Sequence, residues 1–308
     1  MSTFQSAAKR SFKSAAKRSE GDRTFYLVIN ILMGLILVAV AYPLIYVLSS
    51  SFSSPNAVLS GQVLLWPVEF SLEGYTTVFR NNDILTGYYN SSRYMIIGTL
   101  FNVCMTMIAA YPLSRRDMPM RGFFMLVFTF TMFFSGGLIP NYMLMMNLSL
   151  IDTLWVMILP GLISVYNMII ARTFIQSNIP SDLLEATQID GCGDARYFFV
   201  MVLPLSKAVI AVIALFYAVS HWNAYFDAFI YLNSRKLYSL QLFLREILVV
   251  NTIDPSLDMD PDTMTKKQGL ADLLKYSLIV IASAPMMLIY PLAQRYFIKG
   301  VMIGSLKG

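Results

Sequence analysis

One short stretch of the sequence combines the side chains that hold sugar rings. His221, Trp222, Asn223, Tyr225 and Asp227 occur within one run of seven residues. Aromatic faces pack on the CH surfaces of sugars, and amide or carboxylate groups bond to their hydroxyls. We therefore expect this stretch to line a carbohydrate path, with Asn223 and Asp227 on one helix face because they are four residues apart. Two other roles stay open, because Trp and Tyr also anchor helices at membrane interfaces and a histidine here also fits a hydrogen-bonded helix contact.

The sequence contains no recognisable set of catalytic residues. His221 is its single histidine, which excludes a multi-histidine metal site and leaves a histidine-based triad without support. No Gly-x-x-x-x-Gly-Lys-Ser/Thr string is present, so the chain has no P-loop for ATP. No carboxylate lies deep in an apolar run, where proton- and sodium-coupled carriers keep one. We expect a protein that is not an enzyme, binds no metal or cofactor itself, and takes energy for transport from another subunit.

The composition is typical of a protein that lies in a lipid bilayer. The chain has 308 residues, 56% hydrophobic and 13% charged, and a mean hydropathy of +0.59. Water-soluble proteins carry roughly 25% charged residues. The net charge of +5 does not indicate a nucleic-acid partner, because the basic residues flank apolar runs. The sequence therefore predicts an all-α membrane protein in contact with membrane lipid.

Six apolar runs are long enough to cross the membrane as helices. Nineteen helical residues, at a rise of 1.5 Å each, reach nearly the roughly 30 Å of a hydrocarbon core. The predicted spans are 25–48, 94–113, 123–148, 153–171, 203–226 and 276–294.

The distribution of charge predicts the orientation of these spans. Residues 1–24 hold six basic and two acidic side chains, and the link after the second span holds three arginines. Because cytoplasmic links are rich in Lys and Arg, we place both termini inside the cell. This gives a basic cytoplasmic segment at 1–24, a membrane domain at 25–299 and a cytoplasmic tail at 300–308, with an external loop at 233–275.

The link between the fourth and fifth spans, 179–204, predicts two short helices with a tight turn. Ser181 is a suitable N-cap for the first helix, and Gly191 allows the positive φ that often ends a helix. Asp194 is a suitable cap for the second helix. A compact helix–turn–helix that protrudes from a membrane domain can bind in a groove of another protein.

This link resembles the EAA loop of the permease subunits of ABC importers. Thr187 stands where that family often has alanine, and Ala208 where many members have proline. The resemblance rests on Glu185-Ala186-Thr187, Asp190-Gly191 and Leu203-Pro204. Three further segments resemble the carbohydrate-uptake branch and its complex-oligosaccharide type: 222–227, 238–246 and 294–308.

The resemblance implies a fold, partners and site residues. The fold would be the six-helix permease fold of type I ABC importers. The partners would be a second homologous permease in a heterodimer, two cytoplasmic ATPase subunits that hold ATP and Mg²⁺, and an external solute-binding protein, all at a bacterial plasma membrane. The ATPase would be contacted by Glu185, Ala186, Asp190, Gly191, Pro204, Lys307 and Gly308. The binding protein would face Leu240, Gln241 and Arg245.

The sequence leaves two alternatives to an oligosaccharide importer subunit open. An ABC permease for a non-sugar solute, such as a peptide, would share the EAA loop. A stand-alone secondary carrier would share the apolar spans but not that loop.

Overall fold

The computed structural model describes residues 20–247 and 273–291, with side chains from residue 25 onward. Within these ranges the chain is helical and contains no strand, as the sequence predicts. The tail with Lys307 and Gly308, most of the N-terminal segment, and the larger part of the predicted external loop lie outside the described residues.

Fourteen α-helices are found in the described ranges. They are α1 (Glu20–Ser51), α2 (Pro55–Leu59), α3 (Glu73–Arg80), α4 (Asn82–Ser114), α5 (Arg121–Phe133), α6 (Leu138–Asn147), α7 (Val165–Asn178), α8 (Ser181–Ile189), α9 (Asp194–Tyr197), α10 (Leu203–Leu205), α11 (Lys207–Trp222), α12 (Phe226–Tyr231), α13 (Leu240–Arg245) and α14 (Leu273–Pro291). Short 3₁₀ helices cover Leu154–Met157 and Arg235–Leu237, and a π-helical turn covers Phe198–Val202.

Three of these helices are long and apolar enough to cross a bilayer unaided: α1, α4 and α14. Two bent units have the composition of spans, namely α5 with α6, bent by 110°, and α9 through α11, bent by 80°. By length and composition, the described residues therefore provide up to five spans, and the predicted count of six is not confirmed.

The fourth predicted span, 153–171, is not a continuous helix. It consists of the 3₁₀ turn, an irregular segment, and the start of α7, which begins at Val165 with the Ser164 hydroxyl as its N-cap. Pro160 disfavours helical backbone before it, and Gly161 is a poor helix former, so the run is interrupted despite being apolar.

The fifth predicted span, 203–226, is also divided. Pro204 has no N–H to donate to the preceding turn, and the backbone forms the π-helical turn before it. At its other end α11 stops at Trp222, and the Asn223 amide donates to the Val219 carbonyl at 2.9 Å. The expected shared helix face of Asn223 and Asp227 is therefore wrong, because a break separates them.

The longest helix, α4, is the element around which the others are placed. Its middle packs against α7 and α11 in one apolar cluster that includes Met107, Ala110, Met168 and Ile213. All four of these side chains are almost completely buried. Helices α4, α7 and α11 thus form a packed core within the described part of the chain.

Trp222 lies in a second cluster and links α11 to α4 and α14. The side chain is 1% exposed, and its Nε1 donates to the Ala282 carbonyl at 2.8 Å. Its ring contacts the ring of Tyr88 edge-on, with centroids 5.4 Å apart. A ring held in this way is not accessible to a substrate, so the structure does not support Trp222 as a path residue.

We predict that Trp222→Ala strongly destabilises the fold. Removing a buried aromatic side chain costs about 3–5 kcal/mol, and here a hydrogen bond is lost as well. The matched control is Trp66→Ala, because Trp66 is 80% exposed. Thermal unfolding in detergent micelles should show a large drop in Tm for the first variant and little change for the second, and equal shifts would contradict the prediction.

Candidate functional site

A cavity of about 400 Å³ lies between α4, the segment before α7, and α11. Its apolar lining includes Val156, Met157 and Phe216. Its polar lining consists of Asn102, Ser164, Asn167, Tyr217, Ser220, His221 and Asp227. The volume lies in the range of sites for small molecules, and half of the lining residues are polar.

Asn102 and His221 form one wall of this cavity. The Asn102 amide donates to the Gly161 carbonyl at 2.8 Å, and its oxygen lies 3.4 Å from His221 Nε2. The imidazole ring sits directly against α4, because a Cβ added at Gly98 would come within 2.4 Å of His221 Nε2. A glycine on α4 therefore makes room for the histidine of α11.

Tyr217 ties the same three elements together. Its hydroxyl lies 2.7 Å from Thr106 Oγ1 on α4 and accepts a hydrogen bond from the backbone N–H of Ser164 at 2.9 Å. In an apolar setting such a shared hydroxyl holds its partners firmly, because an unpaired polar group there would be costly.

The structure brings together two of the five predicted path residues. His221 and Asp227 line the cavity, whereas Trp222, Asn223 and Tyr225 do not. The Asn223 amide is used at the end of α11, and Tyr225 is 46% exposed beside Phe226.

The cavity also contains polar residues that the sequence reasoning missed. Asn102 and Asn167 lie within apolar runs, and that was the available signal. Ser164, Tyr217 and Ser220 give no such signal, because hydroxyls are common in membrane helices.

The link predicted at 179–204, called the coupling loop from here on, is present as α8, a glycine turn and α9. Gly191 has a φ of 76°, which confirms the predicted turn geometry. The N-cap of α8 is Pro180 and not Ser181, whose hydroxyl instead donates to the Asp182 carboxylate. Asp194 is likewise the first residue of α9, with Gly193 as its cap.

One side of α8 is exposed and the other faces the protein. Glu185, Ala186 and Asp190 are exposed, and Ile189 is exposed to 86%. Thr187 is buried, and its hydroxyl donates to the Leu184 carbonyl at 2.9 Å, so this departure from the family pattern lies on the inner side. The exposed side of α8 therefore presents the carboxylate of Glu185 together with the apolar side chain of Ile189. Pro204 is exposed as well, at the bend between α10 and α11.

A cleft of about 660 Å³ separates α8 from the end of α4. Its walls include Glu185 and Gln188 on one side and Arg115, Arg116 and Asp117 on the other. Arg115 pairs with Asp117, two residues further along the chain, and with Asp194 of the coupling loop. The Arg115 guanidinium lowers the pKa of the Asp117 carboxyl below its usual value.

At the opposite end of α4, the segment after α12 is held by hydrogen bonds. Asn90 Nδ2 donates to the carbonyls of Lys236 and Tyr238, and the Tyr94 hydroxyl donates to that of Leu237. The Ser91 hydroxyl accepts from the N–H of Leu240.

Asp152 fixes the start of this same segment. Its carboxylate accepts hydrogen bonds from the backbone N–H groups of Asn233 and Ser234 at 2.9 and 2.8 Å. The bond from the Ser234 hydroxyl, followed by these backbone bonds, lowers the pKa of Asp152.

One of the three predicted binding-protein contacts is inaccessible. Leu240 is completely buried, because the hydrogen bonds to α4 press this segment against the core. Gln241 and Arg245 are half-buried, and the Arg245 guanidinium lies 4.3 Å from the centroid of the Phe229 ring.

Similarity to known proteins was found in sequence and in structure. The chain is 40% identical over 269 residues to the polygalacturonan/rhamnogalacturonan transport system permease protein YtcP of Bacillus subtilis, a match over 86% of this chain and 92% of that protein. It is 36% identical over 266 residues to protein LplC of the same organism, over 86% and 89% of the two chains. No family model matches.

A solved structure has the same fold over nearly the whole chain. It is a chain from a bacterial ABC transporter involved in the import of the acidic polysaccharide alginate. The TM-score is 0.82 and the identity 30%, over 91% of this chain and 99% of that one.

We predict that Gly98→Ala disturbs the cavity. The added methyl group would lie within 2.4 Å of His221 Nε2, so the ring must move away from Asn102. Overpacking of this kind costs about 1–3 kcal/mol. Gly34→Ala in α1 is the matched control, because nothing lies within 4 Å of the added atom. Thermal unfolding should show a lower Tm for Gly98→Ala alone, and an unchanged Tm would contradict this contact.

Proposed function

This chain belongs to the permease subunits of ABC carbohydrate importers, and from that premise we propose that it forms one half of the path by which an oligosaccharide enters a bacterial cell. The observation that supports this most is the cavity on α4. Its amide, hydroxyl, imidazole and carboxylate groups suit the hydroxyls of a sugar, and Phe216 adds an aromatic ring to the lining. A second homologous permease would provide the other half, giving a heterodimer.

The coupling loop is the proposed contact with a cytoplasmic ATPase. The exposed side of α8 presents Glu185, Ala186, Asp190 and the apolar Ile189 away from the body of the protein. A short amphipathic helix of this kind fits a groove on a partner. Gly191 and Pro204 would shape the loop, and the tail with Lys307 and Gly308 would add a further contact. ATP and Mg²⁺ would be bound by that partner.

The opposite end of α4 is the proposed contact with an external solute-binding protein. Gln241 and Arg245 remain candidates for it, because each is partly accessible. Arg235 is exposed nearby and pairs with Asp83 and Glu246.

Both termini are proposed to lie in the cytoplasm of a bacterium. In a background without Cys104 and Cys192, single cysteines near Lys9 and near Thr263 should differ in labelling by an impermeant thiol reagent in intact cells. The second should react and the first should not, and the reverse pattern would overturn this orientation.

The path is tested by filling the cavity. Ser220→Phe places a ring in it, whereas the adjacent Val219→Phe adds the same ring outside the cavity lining. In proteoliposomes containing the complex purified through a tag on this chain, we expect ATP-dependent uptake of oligosaccharides to fall at least tenfold for the first variant.

ATP hydrolysis and assembly should persist in both variants, which distinguishes blockage from misfolding. Normal uptake by Ser220→Phe would contradict the assignment of the cavity. Absence of oligosaccharide uptake by the unmodified complex would contradict the function itself.

A further inference from the structure

The coupling loop is connected to α4 by two kinds of contact from a single helix turn. Tyr111 lies in the last turn of α4 and Arg115 is the C-cap of this helix, and the two side chains are in contact with each other. The Tyr111 ring lies 5.2 Å from the Phe198 ring and 6.3 Å from the Tyr197 ring, measured between centroids. Arg115 pairs with Asp194, the first residue of α9. An apolar and a charged contact thus hold the second half of the loop.

Arg115 is more confined than its carboxylate partners. Its side chain is 14% exposed, whereas those of Asp117 and Asp194 are 61% and 62% exposed. The guanidinium is also bonded to the Tyr111 hydroxyl at 3.3 Å and to Asp117 through Nε at 2.9 Å. These contacts already hold the planar guanidinium in position. The ion pair with Asp194 therefore costs less side-chain conformational entropy.

No hydrogen bond or ion pair between described residues joins α8, the first half of the loop, to Arg115. The cleft of about 660 Å³ lies between α8 and Arg115, with Glu185 on the far wall. Among the described residues, Glu185 has no ion pair, and the ion pair from α4 to the loop is made by Asp194. A push on α8 can therefore reach α4 by a polar route through the glycine turn and α9.

We propose that Arg115 is a positioning residue that makes α9 and α10 move together with α4, so that ATPase movement at α8 reaches the cavity. The proposal rests on the proposed function, because it assumes an ATPase at the coupling loop. Asp117 orients the Arg115 guanidinium. It belongs to the same link after α4 as Arg115, so its bond does not connect α4 to the coupling loop.

The test measures uptake of oligosaccharide per ATP hydrolysed in proteoliposomes containing the purified complex. Asp194→Asn removes the pair with the loop and should lower this ratio about fivefold or more, with ATP hydrolysis retained. Arg115→Gln should do the same. The double variant should be no worse than either single one, because both remove one interaction.

The matched control is Asp117→Asn, which removes an equally exposed carboxylate from the same arginine. Because it removes one of the groups that orient the guanidinium but leaves the pair with the loop, it should lower the ratio clearly less than Asp194→Asn does. An equal loss in Asp117→Asn, an unchanged ratio in Asp194→Asn, or a lower complex yield with a normal ratio would each overturn the proposal. Failure of the unmodified complex to transport any sugar would instead overturn the proposed function.

Discussion

The backbone carbonyls at the end of α4 need hydrogen-bond partners, and the placement of the other elements depends on how they obtain them. A helix leaves its last carbonyls without partners, which is costly wherever water is excluded. Here Arg172 Nε donates to the Leu113 carbonyl at 2.9 Å, and Gln176 Nε2 donates to that of Ser114 at 3.0 Å. Both side chains come from α7. The ends of α4 and α7 are thereby fixed against each other.

This connection has consequences further along both helices. Because α7 is anchored, the irregular segment before it lies against α4, where Asn102 bonds to the Gly161 carbonyl. Tyr217 of α11 then bonds to that segment and to Thr106. Hydrogen bonds between membrane helices are individually worth about 0.6 kcal/mol on average, so their value here lies in fixing one arrangement of three elements. The cavity is the space that this arrangement leaves open.

Local sequence predicted some of these features well and others poorly. The apolarity of α1 and α4, and the turn at Gly191, depend on neighbouring residues alone and were predicted correctly. The length of α4 was not, because this helix begins at Asn82 and the predicted span begins at residue 94. The apolar run through Pro160 does not form a continuous helix, because hydropathy measures solvent preference and not an unbroken backbone ladder. Trp222 was misplaced for a different reason: its partners Tyr88 and Ala282 are distant in the chain, so its burial is a tertiary property.

The length of α4 is sufficient for one helix to extend beyond both surfaces of a hydrocarbon core. Its 33 residues extend about 50 Å at 1.5 Å each, well beyond the roughly 30 Å of a hydrocarbon core. One projecting end holds the segment after α12 through Asn90 and Tyr94, and the other reaches the coupling loop through Arg115. The cavity residues Asn102 and Thr106 lie between them. Because these contacts and the cavity wall belong to one continuous helix, the proposed coupling through Arg115 would act on that wall through α4 itself.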